Sequence, residues 1–488
     1  MSIEQKKSVL TDEFIKIKHH GKIFTPDYLV KQILDRGHYV KGNIRKKHII
    51  ENSCGDGQFL IQIVDRYCKD FFENSDDTEM LKKELETYIH AIEIEKDELD
   101  ICKERCSQVA QIYGINEQIK WDFLNADTLK TDVFNGKMDF VVGNPPYVRV
   151  HNLNENFDSV KSFLFGNGGM TDLYIVFYEI GLKMLNNSGI LCYITPSSFF
   201  TSLAGTNMRK YLVEKNLLES VCDLKHFQAF NSTTYTTIVC LNKNNQSELV
   251  DYYEYDPQNC EPFFVEKLSI QDYYLNNCFY FSTQKSLSLL KKIMINNKHA
   301  NVSVKNGYAT LADKVFVNKF TFESKHIIPV IKASRGIKGK IIFPYDINGK
   351  LLPEDQLKKD EPLYQYLISN KSLLKKRSNE KKDDNYWYAY GRSQAINDTF
   401  KDKLTINALI RTSSDLKLME AKSGTGVYSG LYVTSETMDL KQIKTALLDK
   451  EFETYVCLLG KYKSGGYYTF SSKDVKCYLD YKLSQEGY

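Results

Sequence analysis

The chain has 488 residues, 42% hydrophobic and 13% aromatic, with a formal net charge of +3, which excludes a disordered or collagenous protein and leaves room for two or three domains with sizeable cores. Its 11 cysteines are odd in number, scattered and without a C-x-x-C pair, so neither a disulfide framework nor a zinc site is expected and the thiols point to a reducing cytoplasm. The charge is uneven: residues 301–488 hold 31 Lys and Arg against 22 Asp and Glu (+9), leaving 34 against 40 (−6) in residues 1–300.

A basic excess in one segment suits a polyanion-binding module, because each phosphate contact releases counterions. No apolar run follows the charged start MSIEQKK, and the most apolar helical stretch, Thr171 to Leu185, is interrupted by Asp172, Glu179 and Lys183. Neither secretion nor a membrane span is therefore expected. Cys102 and Cys106 lie one helical turn apart with no histidine or second pair beside them, so burial is expected rather than metal binding.

In chain order, Gly21 to Asp35 contains Phe24-Thr25-Pro26 ahead of apolar Tyr28, Leu29, Ile33 and Leu34, which predicts a helix with Thr25 as N-cap and Pro26 as first residue. Lys47 to Leu60, KHIIENSCGDGQFL, predicts a strand ending at Glu51, a turn through Asn52, Ser53, Cys54, Gly55 and Gly57, and then a helix. A polar stretch from Lys69 to Glu86 predicts a loop and an exposed helix. A second strand, His90 to Glu95, carries Glu93, where a carboxylate can accept ribose hydroxyls, and a third, within Trp121 to Leu129, ends in Asp127, where one can accept an exocyclic amine.

Met138 to Val150, MDFVVGNPPYVRV, predicts a buried strand that stops in Asn144, Pro145, Pro146 and Tyr147. The two prolines fix their own φ and restrict the residue before each, so this turn can hold acceptors rigidly at a strand's carboxyl end, where open α/β sheets bind ligands. Val150 to Met170 is a polar loop ending in FGNGGM, and Thr171 to Leu185 a helix. A fifth strand at Gly189 to Thr195 and a helix over Ser197 to Lys215 follow, then two more strands, Leu217 to Leu224 and Tyr235 to Asn242, joined through HFQAFNSTT. Glu248 to Met294 is expected as a connector with helices. Beyond it, Lys332 to Lys340 and Lys371 to Arg392 mix cations with Tyr386, Trp387, Tyr388 and Tyr390, a pattern suited to backbone contact and base stacking.

The order of glycine turn, two acidic strand ends and Asn-Pro-Pro-Tyr resembles the γ class of DNA N6-adenine methyltransferases, motif by motif from Gly21 to Asn242 and more loosely beyond. The resemblance implies an α/β fold: a Rossmann-like S-adenosylmethionine-dependent methyltransferase domain with a mostly parallel seven-stranded sheet (1–245), a connector (246–300) and an α+β DNA target-recognition domain (301–488), whose start VKNGYATLADKVFV resembles. It also implies that Thr25, Glu51, Asn52, Ser53, Cys54, Gly55, Gly57, Glu93, Asp127 and Pro146 bind the cofactor. Asn144, Pro145 and Tyr147 would act on the extruded adenine, with Phe230, or else Phe227, stacking on it.

Phe24 stands where Tyr is usual, Asn52 where Pro is common, and the insert before Glu93 is long. No metal is implied. The expected partner is double-stranded DNA, bound by a monomer in the bacterial cytosol; the chain is expected either as the modification enzyme of a restriction-modification system, with a cognate restriction endonuclease, or as an orphan methylase without one. No nuclease is expected upstream, since the cofactor motifs start by Gly21. RNA and protein-glutamine methyltransferases share Asn-Pro-Pro-Tyr or close variants, and a non-catalytic specificity subunit is a further alternative. The long basic carboxyl part argues for DNA.

Overall fold

The computed structural model describes residues 25–149, 157–167, 171–230, 234–317, 319–377, 386–392 and 394–485. Phe24, residues 150–156 and 168–170 of the stretch read as a loop, residues 231–233 and residues 378–385 lie outside them. The chain divides into two compact units between Leu287 and Ser288.

The first unit is built on one nine-stranded sheet in the order β3-β2-β1-β4-β5-β7-β6-β8-β9. Its strands are β1 (Ile49–Glu51), β2 (Ile89–Glu93), β3 (Asp122–Asn125), β4 (Met138–Gly143), β5 (Leu185–Pro196), β6 (Leu218–Asp223), β7 (Thr236–Asn242), β8 (Leu249–Asp256) and β9 (Glu261–Ser269). β1 to β5 run parallel, with Ile50 opposite Val141 and Glu93 opposite Asn125. β7 runs antiparallel between β5 and β6, with Cys192 opposite Cys240. The seven strands read from the sequence are thus present in the arrangement of a Rossmann-like methyltransferase.

Residues 249–269, expected in a connector with helices, instead form β8 and β9 and widen this sheet. β8 buries Val250 and Tyr252 two residues apart and, past an irregularity in its pairing at Tyr252–Tyr253, Tyr255, which gives the strand an inward face.

The sheet is covered by α1 (Asp27–Arg36), α2 (Gln58–Phe72), α3 (Lys96–Ile112), α4 (Leu173–Met184) and α5 (Thr206–Glu214). Helix α1 starts one residue later than read, with Pro26 at the cap position and its carbonyl accepting from Leu29 and Val30. Thr25 makes no cap hydrogen bond and is free for another role. The Ser197–Lys215 helix is broken into a short 3₁₀ turn, Ser197–Phe200, and α5. Because strand order reverses between β1 and β4, the carboxyl ends of those two strands flank a topological switch point, the place where such sheets open a crevice.

In the second unit β10 (Val302–Asn306), β16 (Leu431–Ser435), β13 (Lys403–Ile406) and β14 (Met419–Ala421) pair in that order. Beside them lies a three-stranded sheet, β12 (Ile337–Ile342), β11 (Ile327–Lys332) and β15 (Gly426–Tyr428). Its core corrects one reading. Trp387, Tyr388 and Tyr390 are buried rather than presented for stacking, and only Tyr386 is exposed, at 54%. Tyr388 and Tyr390 donate their hydroxyls to the carbonyls of Leu352 (2.6 Å) and Ile342 (2.7 Å), which removes the cost of burying them. Arg377 donates to the carbonyls of Thr310, Trp387 and Ala389, so it braces this core instead of facing solvent.

Candidate active site

Strands β1 to β4 each end at, or within two residues before, a residue singled out from the sequence. β1 ends in Glu51, which is 3% exposed. Its Oε2 is buried with no hydrogen-bond partner among the described residues, as is Ser53 Oγ in the following turn. Burial raises the Glu51 carboxyl well above its ordinary value, and the nearby Cys102, Glu93 and Asp56 raise it further. A carboxylate in that setting calls for a cation or a donor.

The turn after β1 is built from two glycines with different reasons to be glycine. Gly57, at φ +91°, packs against α3, where a Cβ would lie 2.7 Å from Cys102 Sγ. Gly55, at φ +52°, has nothing within 4 Å of where its Cβ would be, so the backbone there is open to a ligand. Its N–H donates to Glu93 Oε2 (2.8 Å), while Glu95 N–H donates to Glu93 Oε1 (2.9 Å). Glu93 therefore fixes the glycine turn, and each oxygen keeps a second lone pair for another donor. Cys54, whose N–H donates to the Ile92 carbonyl, is buried with Cys102 and Cys106, as free thiols.

Asn52 turns inward. Its Oδ1 accepts from the Tyr193 hydroxyl (3.0 Å) and its carbonyl from Thr128 Oγ1 (2.6 Å), so its side chain serves the core and only its backbone borders the turn. Asp127, half-buried after β3, accepts from Leu129 N–H (3.0 Å) through Oδ1, and Lys130 Nζ stands 3.5 Å from Oδ2.

β4 delivers the Asn-Pro-Pro-Tyr turn. Gly143, at φ +149°, lets the strand pass Glu51, whose Cγ would be 3.4 Å from an added Cβ. Asn144 Nδ2 donates to Thr25 Oγ1 (3.1 Å), and that is what the buried Thr25 does in place of capping α1. Pro145 is buried and Pro146 half-buried. The Tyr147 hydroxyl donates to the Ile194 carbonyl (3.1 Å), tying the turn to β5, and burial pushes that phenol well above its ordinary range.

The Tyr147 ring meets Phe230 and Tyr174 edge-on, at 6.2 Å between centroids in both pairs. Phe227 instead packs on Tyr255 of β8 at 4.6 Å. The structure thus brings Phe230, not Phe227, beside the Asn-Pro-Pro-Tyr turn. Tyr174, which the helical pattern of Thr171 to Leu185 does not single out, walls the same aromatic corner with its ring, held by a hydroxyl contact to Ser198 Oγ (3.0 Å).

Among the described residues, no helix is long and apolar enough to cross a membrane.

Comparison with known proteins bears on this constellation. Residues 41–230 match the model of the Eco57I restriction-modification methylase family. The chain is 23% identical to the type II restriction enzyme and methyltransferase RM.Eco57I of Escherichia coli, over 90% of this chain and 54% of that protein. It is also 23% identical to the type II methyltransferase M.BstVI of Geobacillus stearothermophilus, over 76% of this chain and 74% of that protein. The chain therefore spans about half the length of the first of these relatives. Among solved structures it is similar to the type IIL restriction-modification enzyme MmeI in complex with DNA, with a TM-score of 0.62 and 14% identity over 95% of this chain and 64% of that one. That likeness shows the fold. The matched stretch, residues 41–230, holds the motif residues from Glu51 to Phe230, so the similarity to restriction-modification methylases falls on the part of the chain that carries the γ-class resemblance.

Proposed function

We propose that the chain is an S-adenosylmethionine-dependent DNA methyltransferase that modifies N6 of an adenine extruded from a duplex, as the modification enzyme of a restriction-modification system or as an orphan methylase. The observation that carries this reading is the carboxyl edge of the sheet, where the unsatisfied Glu51 carboxylate and the Thr25-braced Asn144 lie on adjacent strand ends at the switch point.

The residues present fit the cofactor. A buried carboxylate oxygen and a buried hydroxyl without partners, next to open backbone at Gly55, suit a ligand with an ammonium group. Glu51, Thr25 and the Asn52–Cys54 backbone would hold its amino-acid end, Glu93 its ribose hydroxyls, and Asp127 and Pro146 its adenine. When bound, S-adenosylmethionine supplies an electrophilic methyl group on a sulfonium.

The chain's own part is acceptance, alignment and exclusion of water. A purine amine is a poor nucleophile because its lone pair is delocalised into the ring. Acceptors on both of its N–H bonds favour a pyramidal nitrogen and stabilise the positive charge that grows there. Asn144 Oδ1 and the Pro145 carbonyl are suited to this, since the Thr25 contact fixes the amide plane and the prolines fix the backbone. No side chain need act as base beforehand. Tyr147 and Phe230 supply aromatic faces and edges that offset the stacking lost when a base leaves the duplex, about 1–3 kcal/mol per stacked base.

Residues 301–488, within the second unit and with the +9 balance, are assigned to target recognition on duplex DNA. That basic segment favours DNA over a protein-glutamine substrate. A cytosolic site of action and a monomeric state on DNA belong to the same proposal, with a partner restriction endonuclease only in the restriction-modification case. The test is mass spectrometry of nucleosides from cells expressing the chain or its Asn144→Ala variant. N6-methyladenine in the first alone supports the reading; N4-methylcytosine alone, or methylglutamine in protein with unmodified DNA, overturns it.

A further inference from the structure

The second unit carries a basic β-ribbon. Residues 324–345 contain no Asp or Glu and five basic residues, Lys325, Lys332, Arg335, Lys338 and Lys340. They span the antiparallel pair β11–β12, in which Lys332 lies opposite Ile337 and Pro329 opposite Lys340. β12 is an edge strand, and Ile337, Lys338, Gly339 and Lys340 are exposed in succession, on both faces, before Ile341 and Ile342 enter the core.

The turn between the strands is held firmly. Lys332 O accepts from Arg335 N–H (3.1 Å) and Gly336 N–H (2.9 Å), and the N–H groups of Ala333 and Ser334 donate to the carbonyls of Tyr428 (3.0 Å) and Ser429 (2.7 Å). Lys417 lies against it, its Cβ 3.5 Å from where a Cβ on Gly336 would be.

Several cations elsewhere in this unit are matched. Lys305 pairs with Asp398, Arg411 with Asp415, Lys422 with Asp402 and Lys482 with Asp449. Arg335, Lys338, Lys340 and Lys417 have no carboxylate partner among the described residues. A rigid ribbon with unmatched cations along one edge and an exposed isoleucine, Ile337 at 54%, fits one kind of occupant. Lysines on an edge strand also discourage pairing between sheets. That role needs neither an arginine on the turn nor a run of 22 residues without a carboxylate.

We propose that the β11–β12 ribbon enters the major groove of duplex DNA by its β12 edge, with Lys338, Lys340 and Lys417 on phosphates and Arg335 on a base edge. The proposal rests on the DNA-methyltransferase reading above and specifies the element that selects the site. The major groove admits a two-stranded ribbon, lysines act there as point charges that position, and the planar arginine fork can bond a guanine edge at two points.

The experiment first maps the modified sequence in DNA from cells expressing the full chain. Binding to that site, and to its single-base variants, is then measured across a salt series. Arg335→Ala and Arg335→Lys should both cut discrimination at one base position about ten-fold or more, although Arg335→Lys keeps the charge. Lys338→Ala with Lys340→Ala should weaken binding to all sequences alike and flatten the log–log salt slope by about 2. Melting curves matched to the unaltered chain exclude misfolding as the cause, and these side chains are exposed. If the unaltered chain methylates DNA but the variants keep its site choice and salt slope, this inference alone falls. If the unaltered chain binds no duplex DNA, the reading beneath it falls as well.

Discussion

Replacing Glu51 by Gln should move stability and cofactor affinity in opposite directions. In the chain without ligand, Glu51 Oε2 is buried and unsatisfied, and burial lifts the carboxyl above its ordinary value of 4.5. Because the folded pKa exceeds the unfolded one, the group penalises the fold where it is ionised, above the raised pKa, and the penalty is relieved as pH falls through that pKa toward 4.5. Glutamine carries no charge at any pH. The variant should therefore be the more stable protein at pH 8, by about 1–3 kcal/mol, the cost of an uncompensated buried polar group, and the difference should close in acid. With the cofactor the sign reverses. A charge-assisted hydrogen bond contributes about 1.5–3 kcal/mol, so Kd should rise about 10- to 150-fold. At a cofactor concentration of about 100 Kd for the unaltered chain, ligand stabilisation of about 2.7 kcal/mol should then shrink to about 0.4 for a 100-fold weaker variant. Urea unfolding at several pH values, with and without S-adenosylmethionine, reads both effects. A variant that is less stable without ligand and binds it as tightly as before would refute the reasoning.

Asn144→Ala should leave cofactor affinity nearly intact and abolish methyl transfer, whereas Asp127→Ala should weaken the cofactor; calorimetry and a methylation assay separate the two. Gly57→Ala should cost about 1–3 kcal/mol, from its φ of +91° and the 2.7 Å approach to Cys102 Sγ, and adding Cys102→Ala should recover part of that in thermal melts. With 2-aminopurine at the target base, binding should raise fluorescence in the unaltered chain. Phe230→Ala should lower that rise while Phe227→Ala, which loses its Tyr255 contact, should chiefly lower the melting temperature.

The placement of the strand ends was legible because it is local. A strand, its last residue and its turn adjoin in sequence, so Glu51, Glu93, Asp127 and Asn144 could be set at one edge of a parallel sheet from the spacing of motifs alone. What depends on distant partners was not. Thr25 reads as an N-cap because a threonine before a proline and an apolar repeat has that local meaning, but its hydroxyl accepts from an amide 119 positions away. The aromatic run at 386–390 reads as a stacking platform beside its lysines. Buried acceptors contributed by Ile342 and Leu352, which no local pattern reveals, draw the Tyr390 and Tyr388 hydroxyls into the core. Residues 249–269 read as a connector because a polar, tyrosine-rich strand at a sheet edge alternates too weakly to stand out from a loop.

Asn52 joins these two kinds of information. By its motif it departs from a position where proline is common, and the structure gives the departure a physical partner. Its Oδ1 accepts the hydroxyl of Tyr193, a fully buried residue of β5 whose ring lies edge-on to Tyr178 at 5.3 Å; the Tyr178 hydroxyl in turn bonds Thr195 Oγ1 at 2.9 Å. A proline at 52 has no side-chain acceptor and would leave the Tyr193 hydroxyl without this partner inside the protein, at about 1–3 kcal/mol. The asparagine and the tyrosine therefore act as one unit that ties the end of β1 to β5 beneath the sheet's switch point. The position of Glu51 is thus held from behind by a side chain that points away from the ligand space, while the backbone of the same residue leads into the glycine turn that opens toward it.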